Sequence, residues 1–211
     1  RVIRRATYAD IPRIQQLEAE AFGPISWDSQ FLDKELSKPD QDRIVLTVNG
    51  EIAGFAASWT RQHGESMVLD VCVFKAFQGQ HVAQALMVWL LDDAVAKGQK
   101  QMVLQVKVKN DAAQNLYRKF GFIVGKILEH YYLPYEDVDA FEMRRSLDSW
   151  QQEREHFAVN VQLASDCTPG QGNPIREAQA DTRHAEVSDA DAGNDTAGNA
   201  GQNADEKGEE N

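Results

Sequence analysis

Residues 67–97 are where the order of residue types first suggests chemistry. The apolar run Met67–Phe74 gives way to a short polar loop, Lys75-Ala76-Phe77-Gln78-Gly79-Gln80. An amphipathic stretch, His81–Lys97, follows, with Val82, Leu86, Trp89, Leu90 and Val95 near the helical period and Gly98 as its stop. The apolar run is rich in β-branched residues and has strand length. A strand that feeds a helix through a loop containing glycine sets several backbone N–H groups at the positive end of the helix. That is how proteins hold a pyrophosphate. An ordinary strand-to-helix turn has the same spacing, so spacing alone leaves both readings open.

The elements that must position this unit follow from periodicity and turn chemistry. Val2–Ala6 is predicted as a strand. Asp10 is the expected N-cap of a helix, Ile11–Phe22, with Pro12 in its first turn and Ile11, Ile14, Leu17 and Ala21 on one face. Gly23-Pro24 breaks it, and Ser26 is the expected cap of a second helix, Trp27–Leu36. Arg43–Val48 and Ile52–Trp59 flank Asn49-Gly50, a strong two-residue hairpin signal. Met102–Val108 is a further strand, and Asn110 or Asp111 caps a helix that runs to Phe120, with Gly121 just beyond it. Phe122–Leu133 and Ala140–Leu147 are predicted strands joined by the acidic loop 134–139. The order β α α β β β α β α β β predicts an α/β fold, one mixed sheet with helices on its faces.

Composition bounds the rest. Of the 211 residues, 1–147 carry 18 Lys+Arg against 19 Asp+Glu, whereas 148–211 carry 4 against 14. A nearly neutral domain, 1–147, is therefore expected to be followed by a short helix or linker over 148–164. An acidic tail, 165–211, is too polar to offset its ordering entropy and is expected to be disordered. Cys72 and Cys167 are too few and too far apart for a disulfide framework or a paired-cysteine metal site, so no metal is expected. No run approaches the ~18 apolar residues of a membrane span, and the N-terminus lacks a signal-peptide pattern. Cytoplasm is the default location, without a membrane partner, and so acidic a chain is a poor fit for nucleic acid. The chain opens on Arg1 rather than Met, consistent with a few residues preceding it.

Three stretches then resemble the GNAT superfamily of acetyl-CoA-dependent N-acetyltransferases over roughly 1–147. Within it they are closest to the ribosomal-protein alanine N-acetyltransferases (the RimI type) and the catalytic subunits of N-terminal protein acetyltransferases. Val73–Leu86 sits where that family has its acetyl-CoA loop, Gln/Arg-x-x-Gly-x-Gly/Ala. Leu104–Phe122 is close to its strand and N-x-x-A-x-x-L-Y-x-x-x-G-F helix. His130-Tyr131-Tyr132-Leu133-Pro134, with Asp139–Met143, is like its paired tyrosines and D-A-x-x-M strand.

The resemblance implies a site. Acetyl-CoA would lie where strands 67–74 and 102–108 splay apart, along Val71 and Val73. Its pyrophosphate would rest on Gln78, Gly79, Gln80, His81, Val82 and Ala83, with Asn110 near the pantetheine. Tyr117 would stand beside the departing thiolate as a general acid. Phe22 and Trp27, with Tyr131 and Tyr132, would wall the acceptor slot. Glu136, Asp137 and Asp139 would favour a basic peptide, such as a ribosomal protein.

Two departures stand out. His81 occupies a position usually held by glycine. Gln105 replaces the usual glutamate base, and Met67 sits where some relatives have a catalytic tyrosine. Glutamine cannot take a proton, although it can hold a water that relays one to Glu65, Asp70 or the acids of 129–137. An α-amine, with a pKa of ~7.7–8.0, is already about a tenth neutral at pH 7, whereas a lysine at ~10.4 is under a thousandth neutral. A weak base therefore suits an α-amine. The expected function is acetyl transfer to a protein N-terminus in a ternary complex. A lysine or small-molecule acetyltransferase, or a non-catalytic acetyl-CoA-binding module, are the alternatives. The sequence leaves the acceptor and oligomeric state unnamed.

Overall fold

The structure, a computed structural model, describes residues 1–172 of the 211. Eight strands form one mixed sheet: β1 (Val2–Arg5), β2 (Gln41–Val48), β3 (Glu51–Thr60), β4 (Glu65–Val73), β5 (Gln101–Lys107), β6 (Ile123–Leu128), β7 (Ala140–Ser146) and β8 (Gln162–Leu163). Their spatial order is β6-β7-β5-β4-β3-β2-β1-β8. Two neighbouring pairs, β4–β5 and β1–β8, run parallel.

Helices α1 (Ile11–Phe22) and α2 (Ser29–Leu36) cover one face, where Ile14, Leu17, Trp27, Leu32 and Leu36 meet Val45 and Phe55. Helix α3 (Val82–Ala96), helix α4 (Asp111–Lys119) and the short α5 (Trp150–Glu153) pack with the other face. β2 and β3 lie between these layers and are buried on both sides. That explains their nearly continuous apolar runs.

The predicted mixed α/β sheet and its element order are present, with local corrections. Helix α2 begins at Ser29, and its cap is Asp28, whose Oδ1 accepts the Phe31 N–H at 2.7 Å, not Ser26. Asp10 stands at the N-cap position of α1 as expected, but its side chain makes no capping hydrogen bond to the helix. Its carboxylate instead holds Arg4 at 2.7–2.8 Å and the Thr7 backbone N–H at 2.8 Å. The strand expected over 122–133 ends at Leu128, and 129–135 form turns.

The larger difference is past Leu147, where the sequence predicted a boundary. Trp150, Phe157 and Cys167 are buried in the core beneath α3. The Trp89 indole N–H donates to the Cys167 carbonyl at 2.8 Å, and the Gly170 N–H to Asp93 Oδ1 at 2.8 Å. β8 adds to the sheet beside β1. The folded unit thus extends through the linker at 148–164 and into 165–172; the rest of the expected tail, 173–211, lies outside the described residues. This strap also explains why α3 is not amphipathic as expected. From Ala85 to Leu91 every residue is buried, because the sheet covers one side and the strap another.

Candidate active site

β4 and β5 are hydrogen-bonded only at their start, from Glu65–Gln101 to Met67–Val103. A bulge in β4, where the partners of Ala57 and Ser58 step from Asp70 to Val68, adds twist at that point. Beyond Met67 the two parallel strands diverge, and the sheet opens into a cleft of about 170 Å³. Residues 68–71 of β4 and 104–107 of β5 form its floor.

Helix α4 borders the cleft through Asn110, Ala113 and Tyr117. Asn110 is its N-cap, accepting the Ala113 N–H at 3.1 Å, and Arg118 and Lys119 suit its negative end. Buried Gln114 donates to the carbonyls of Lys107 at 3.2 Å and Val108 at 3.0 Å, which fixes α4 against the end of β5. Tyr117 is thereby held in place, and burial, reinforced by the nearby Asp70 charge, raises its pKa and keeps it a phenol. The other side of the cleft is closed by Ala21 and Phe22 of α1, Ile25 and Trp27 of the link to α2, and Tyr132 of the 129–139 loop.

The glycine-containing loop before α3 stands where β4 runs out. After Val73 a single turn, Lys75–Phe77, leads through Gln78–His81 into α3. His81 is the N-cap and adopts a left-handed backbone, φ 59° and ψ 20°, while Gly79 has φ 73°. The glycine preference at this position is thus conformational, and His81 meets it at a steric cost. Its side chain is exposed. The first N–H groups of α3 have no acceptor within the helix and face the loop end. Helix α3 can sit this close because β3 carries Gly54, where a Cβ would come within 2.8 Å of Val82 Cγ1 and 2.9 Å of the Cys72 carbonyl.

Of the expected site residues, Phe22, Trp27, Val71, Gln105, Asn110, Tyr117 and Tyr132 come together in the cleft. Gln78, Gly79, Gln80, His81, Val82 and Ala83 form the loop and first turn outside it, and Val82 is a core residue whose backbone alone is available. Val73 is the last residue of β4. Tyr131 packs edge-on against Tyr132 at 5.1 Å, and burial raises its pKa to about 12, but it does not line the cleft.

The acids expected to draw a basic peptide are largely engaged. Glu136 pairs with Lys107 at 2.6 Å, Asp137 contacts the His130 ring, and Asp139 accepts the His130 N–H at 2.9 Å. Glu65 is at the far end of β4, bound to Gln101 and Arg61 at 3.0 Å, and does not line the cleft.

Sequence reasoning missed Glu18. On α1 it falls within the apolar stripe of Ile14, Leu17 and Ala21, and a charge at a core-facing helical position was its signal. It meets Asp70, the single charge in the apolar run Met67–Phe74, and Cys72. Ligand-type atoms of the three lie within 4.8 Å of one another. Glu18 accepts the Trp27 N–H at 3.2 Å, and the Cys72 sulfur lies 3.7 Å from Glu18 Oε1 and 3.8 Å from Asp70 Oδ2. Burial, with the Glu18 charge, pushes Asp70 well above the usual carboxylate range. Burial also raises Glu18, against hydrogen bonds from Asp70, Trp27 and Cys72. Cys72 is pushed up too, first by burial, and remains a thiol.

A mixed sheet splayed at a parallel pair, with a turn into a helix N-terminus beside the opening and a buried tyrosine across it, is the architecture of an acyl-CoA-dependent acetyltransferase. The family model for the acetyltransferase (GNAT) family matches residues 9–122, and the chain belongs to that family. It is 32% identical over 143 residues to the N-alpha-acetyltransferase RimI of Mycobacterium tuberculosis, covering 66% of this chain and 88% of that one. It is also 26% identical over 153 residues to an N-alpha-acetyltransferase of Sulfurisphaera tokodaii, covering 64% and 88%. Among solved structures, the ribosomal-protein-S18-alanine N-acetyltransferase of Escherichia coli superposes with a TM-score of 0.62 at 25% identity, covering 69% of this chain and 92% of that one.

Proposed function

We propose that this enzyme acetylates the N-terminal α-amine of a protein, by direct attack of the amine on acetyl-CoA within a ternary complex in the cytoplasm. The carrying observation is that one cleft joins the open β4–β5 floor and Tyr117 to an acceptor side built from Phe22, Trp27 and Tyr132. Relatives named N-alpha-acetyltransferase and ribosomal-protein-S18-alanine N-acetyltransferase support the same acceptor class, and a basic ribosomal protein fits it.

In this reading the thioester end of acetyl-CoA occupies the opening between β4 and β5, along Val71 and Val73. The diphosphate is held by backbone N–H groups of Gln78–Ala83, where the loop and helix dipole favour negative charge. Asn110 is committed to capping α4, so its part is to place the backbone around the pantetheine.

The role of Tyr117 follows from magnitudes. A phenol held above its ordinary ~10 is a weaker acid than a thiol of ~8.5, so full proton transfer to the thiolate runs uphill. Tyr117 therefore donates a hydrogen bond to sulfur as charge develops on it. Gln105, on the cleft floor, can orient a water but cannot accept a proton.

The test is release of CoA thiol from acetyl-CoA with a basic peptide beginning in Ala or Ser. The control is the same peptide with its N-terminus blocked and its lysines free. Release with the free N-terminus alone is expected. Equal release from both would replace this reading with lysine acetylation. Binding of acetyl-CoA without release would leave a small-molecule enzyme or a binding module.

A further inference from the structure

The α-ammonium of an acceptor must lose a proton before it can attack, and Gln105 cannot take it. We propose that Glu18 and Asp70, two carboxyl groups in hydrogen-bond contact on the wall of the cleft that holds Tyr117, share one proton in the resting enzyme and receive the proton that the α-ammonium gives up. This rests on the α-amine reading above and adds the residues that activate the acceptor.

The geometry supplies three conditions. Both groups line the cleft, although Glu18 is 1% and Asp70 7% exposed, so any proton they exchange passes through the cleft. Two carboxyls this close and this buried cannot both ionise, so the pair carries a single charge. That charge is best placed on Glu18, which accepts from Asp70, the Trp27 N–H and the Cys72 thiol. Trp27 belongs to the link that lines the acceptor side, which ties the anion to the place where the amine enters.

The remaining groups facing the pair do not compete for its role. Cys72 is a thiol and Tyr117 a phenol, both held protonated by burial. Burial likewise raises Tyr132. Lys107, the cation lining the same cleft, is paired with Glu136. Magnitude favours a buried pair over a solvated carboxylate. An ordinary carboxylate at ~4.3 would accept a proton from an α-ammonium at ~7.8 with a penalty of roughly 10³–10⁴, and burial reduces that gap.

The steps balance. An ammonium N–H bond breaks and its proton passes to Glu18, directly or across one water, leaving both carboxyls protonated. The freed lone pair forms the N–C bond as the C–S bond breaks, and Tyr117 hydrogen-bonds the departing sulfur. A second proton leaves the nitrogen and reaches the sulfur through water, giving amide and CoA thiol. The pair then returns its extra proton to solvent.

The test joins a spectroscopic measurement with kinetics on the full chain. Infrared spectra at neutral pH should show the carbonyl stretch of one protonated carboxyl, lost in Asp70→Asn. In the Glu18→Gln/Asp70→Asn double variant, kcat/KM at pH 7 should fall by about 10²–10⁴-fold. The deficit should shrink as pH rises past the amine's own pKa of ~8. It should nearly vanish with a peptide whose N-terminal amine is replaced by an aminooxy group, which is neutral at pH 7 without help, and acetyl-CoA affinity should hold within about threefold, roughly 0.65 kcal/mol. If the double variant does not fold, Glu18→Gln alone should show the same pH-dependent deficit. A missing band, or an equal loss at every pH and with both acceptors, would overturn the proposal while leaving the α-amine reading intact. A wild-type enzyme with the band but inert towards every free N-terminus would overturn both.

Discussion

Tyr117 faces the cleft from a helix that its own cap and Gln114 lock in place, so its effect on rate can be separated from its effect on folding. Removing only the hydroxyl, as Tyr117→Phe, should lower kcat by about 10²-fold, the cost of losing one donor to developing charge. KM for acetyl-CoA and Tm should change little, and an unchanged kcat would remove Tyr117 from the mechanism. His81 makes a different point. Its left-handed backbone, not its ring, is what the turn into α3 needs. His81→Gly should leave Tm nearly unchanged, because relief of strain is offset by the freer unfolded chain. His81→Val should destabilise by about 1–2 kcal/mol in denaturant titrations, since a β-branched residue resists positive φ.

At the scale of elements, the strap after Leu147 is as much part of the core as α1. Trp150 is fully buried; its indole N–H donates to Asp92 Oδ1 at 2.8 Å, and its ring is 6.2 Å from Phe120 and 5.7 Å from Phe157. Trp150→Ala should cost about 3–5 kcal/mol, read as a lower denaturant midpoint. Ending the chain at Leu147 should expose α3 and produce aggregation or loss of cooperative unfolding. A truncated chain with unchanged Tm would show that the strap only decorates the domain. The β4 bulge acts at the same scale, since it ends the parallel ladder and so makes the cleft.

Across the whole molecule, two carboxyl environments pull stability in opposite directions with pH. Burial alone would raise Asp10, but Arg4 and Thr7 outweigh it and its pKa is lowered. Its contribution is therefore present above the unfolded value of ~3.9 and lost as pH falls through the folded one. Asp70 and Glu18 are raised, so their contribution is present at low pH and lost as pH rises through the folded values. The Tm of Asp70→Asn relative to the parent should thus climb as pH rises above the unfolded carboxylate value of ~3.9. A difference that stays constant or falls over that range would contradict the shared proton.

Much of this was legible in the chain because it depends on local signals. The Asn49-Gly50 hairpin, the cap at Asn110, the glycine loop before α3 and the motif around Tyr117 all act through neighbouring residues, and each predicts its element or position without reference to the rest. Contacts between distant segments were not legible. Glu18 and Asp70 are 52 positions apart, and only the packing of α1 on β4 turns two isolated charges into a pair. Likewise, the polar-looking stretch past residue 147 gave no sign that its few large apolar side chains would cover α3. Periodicity reports which face of an element seeks burial. The choice of what buries it, and of which charges are enclosed together, is made only when the layers pack.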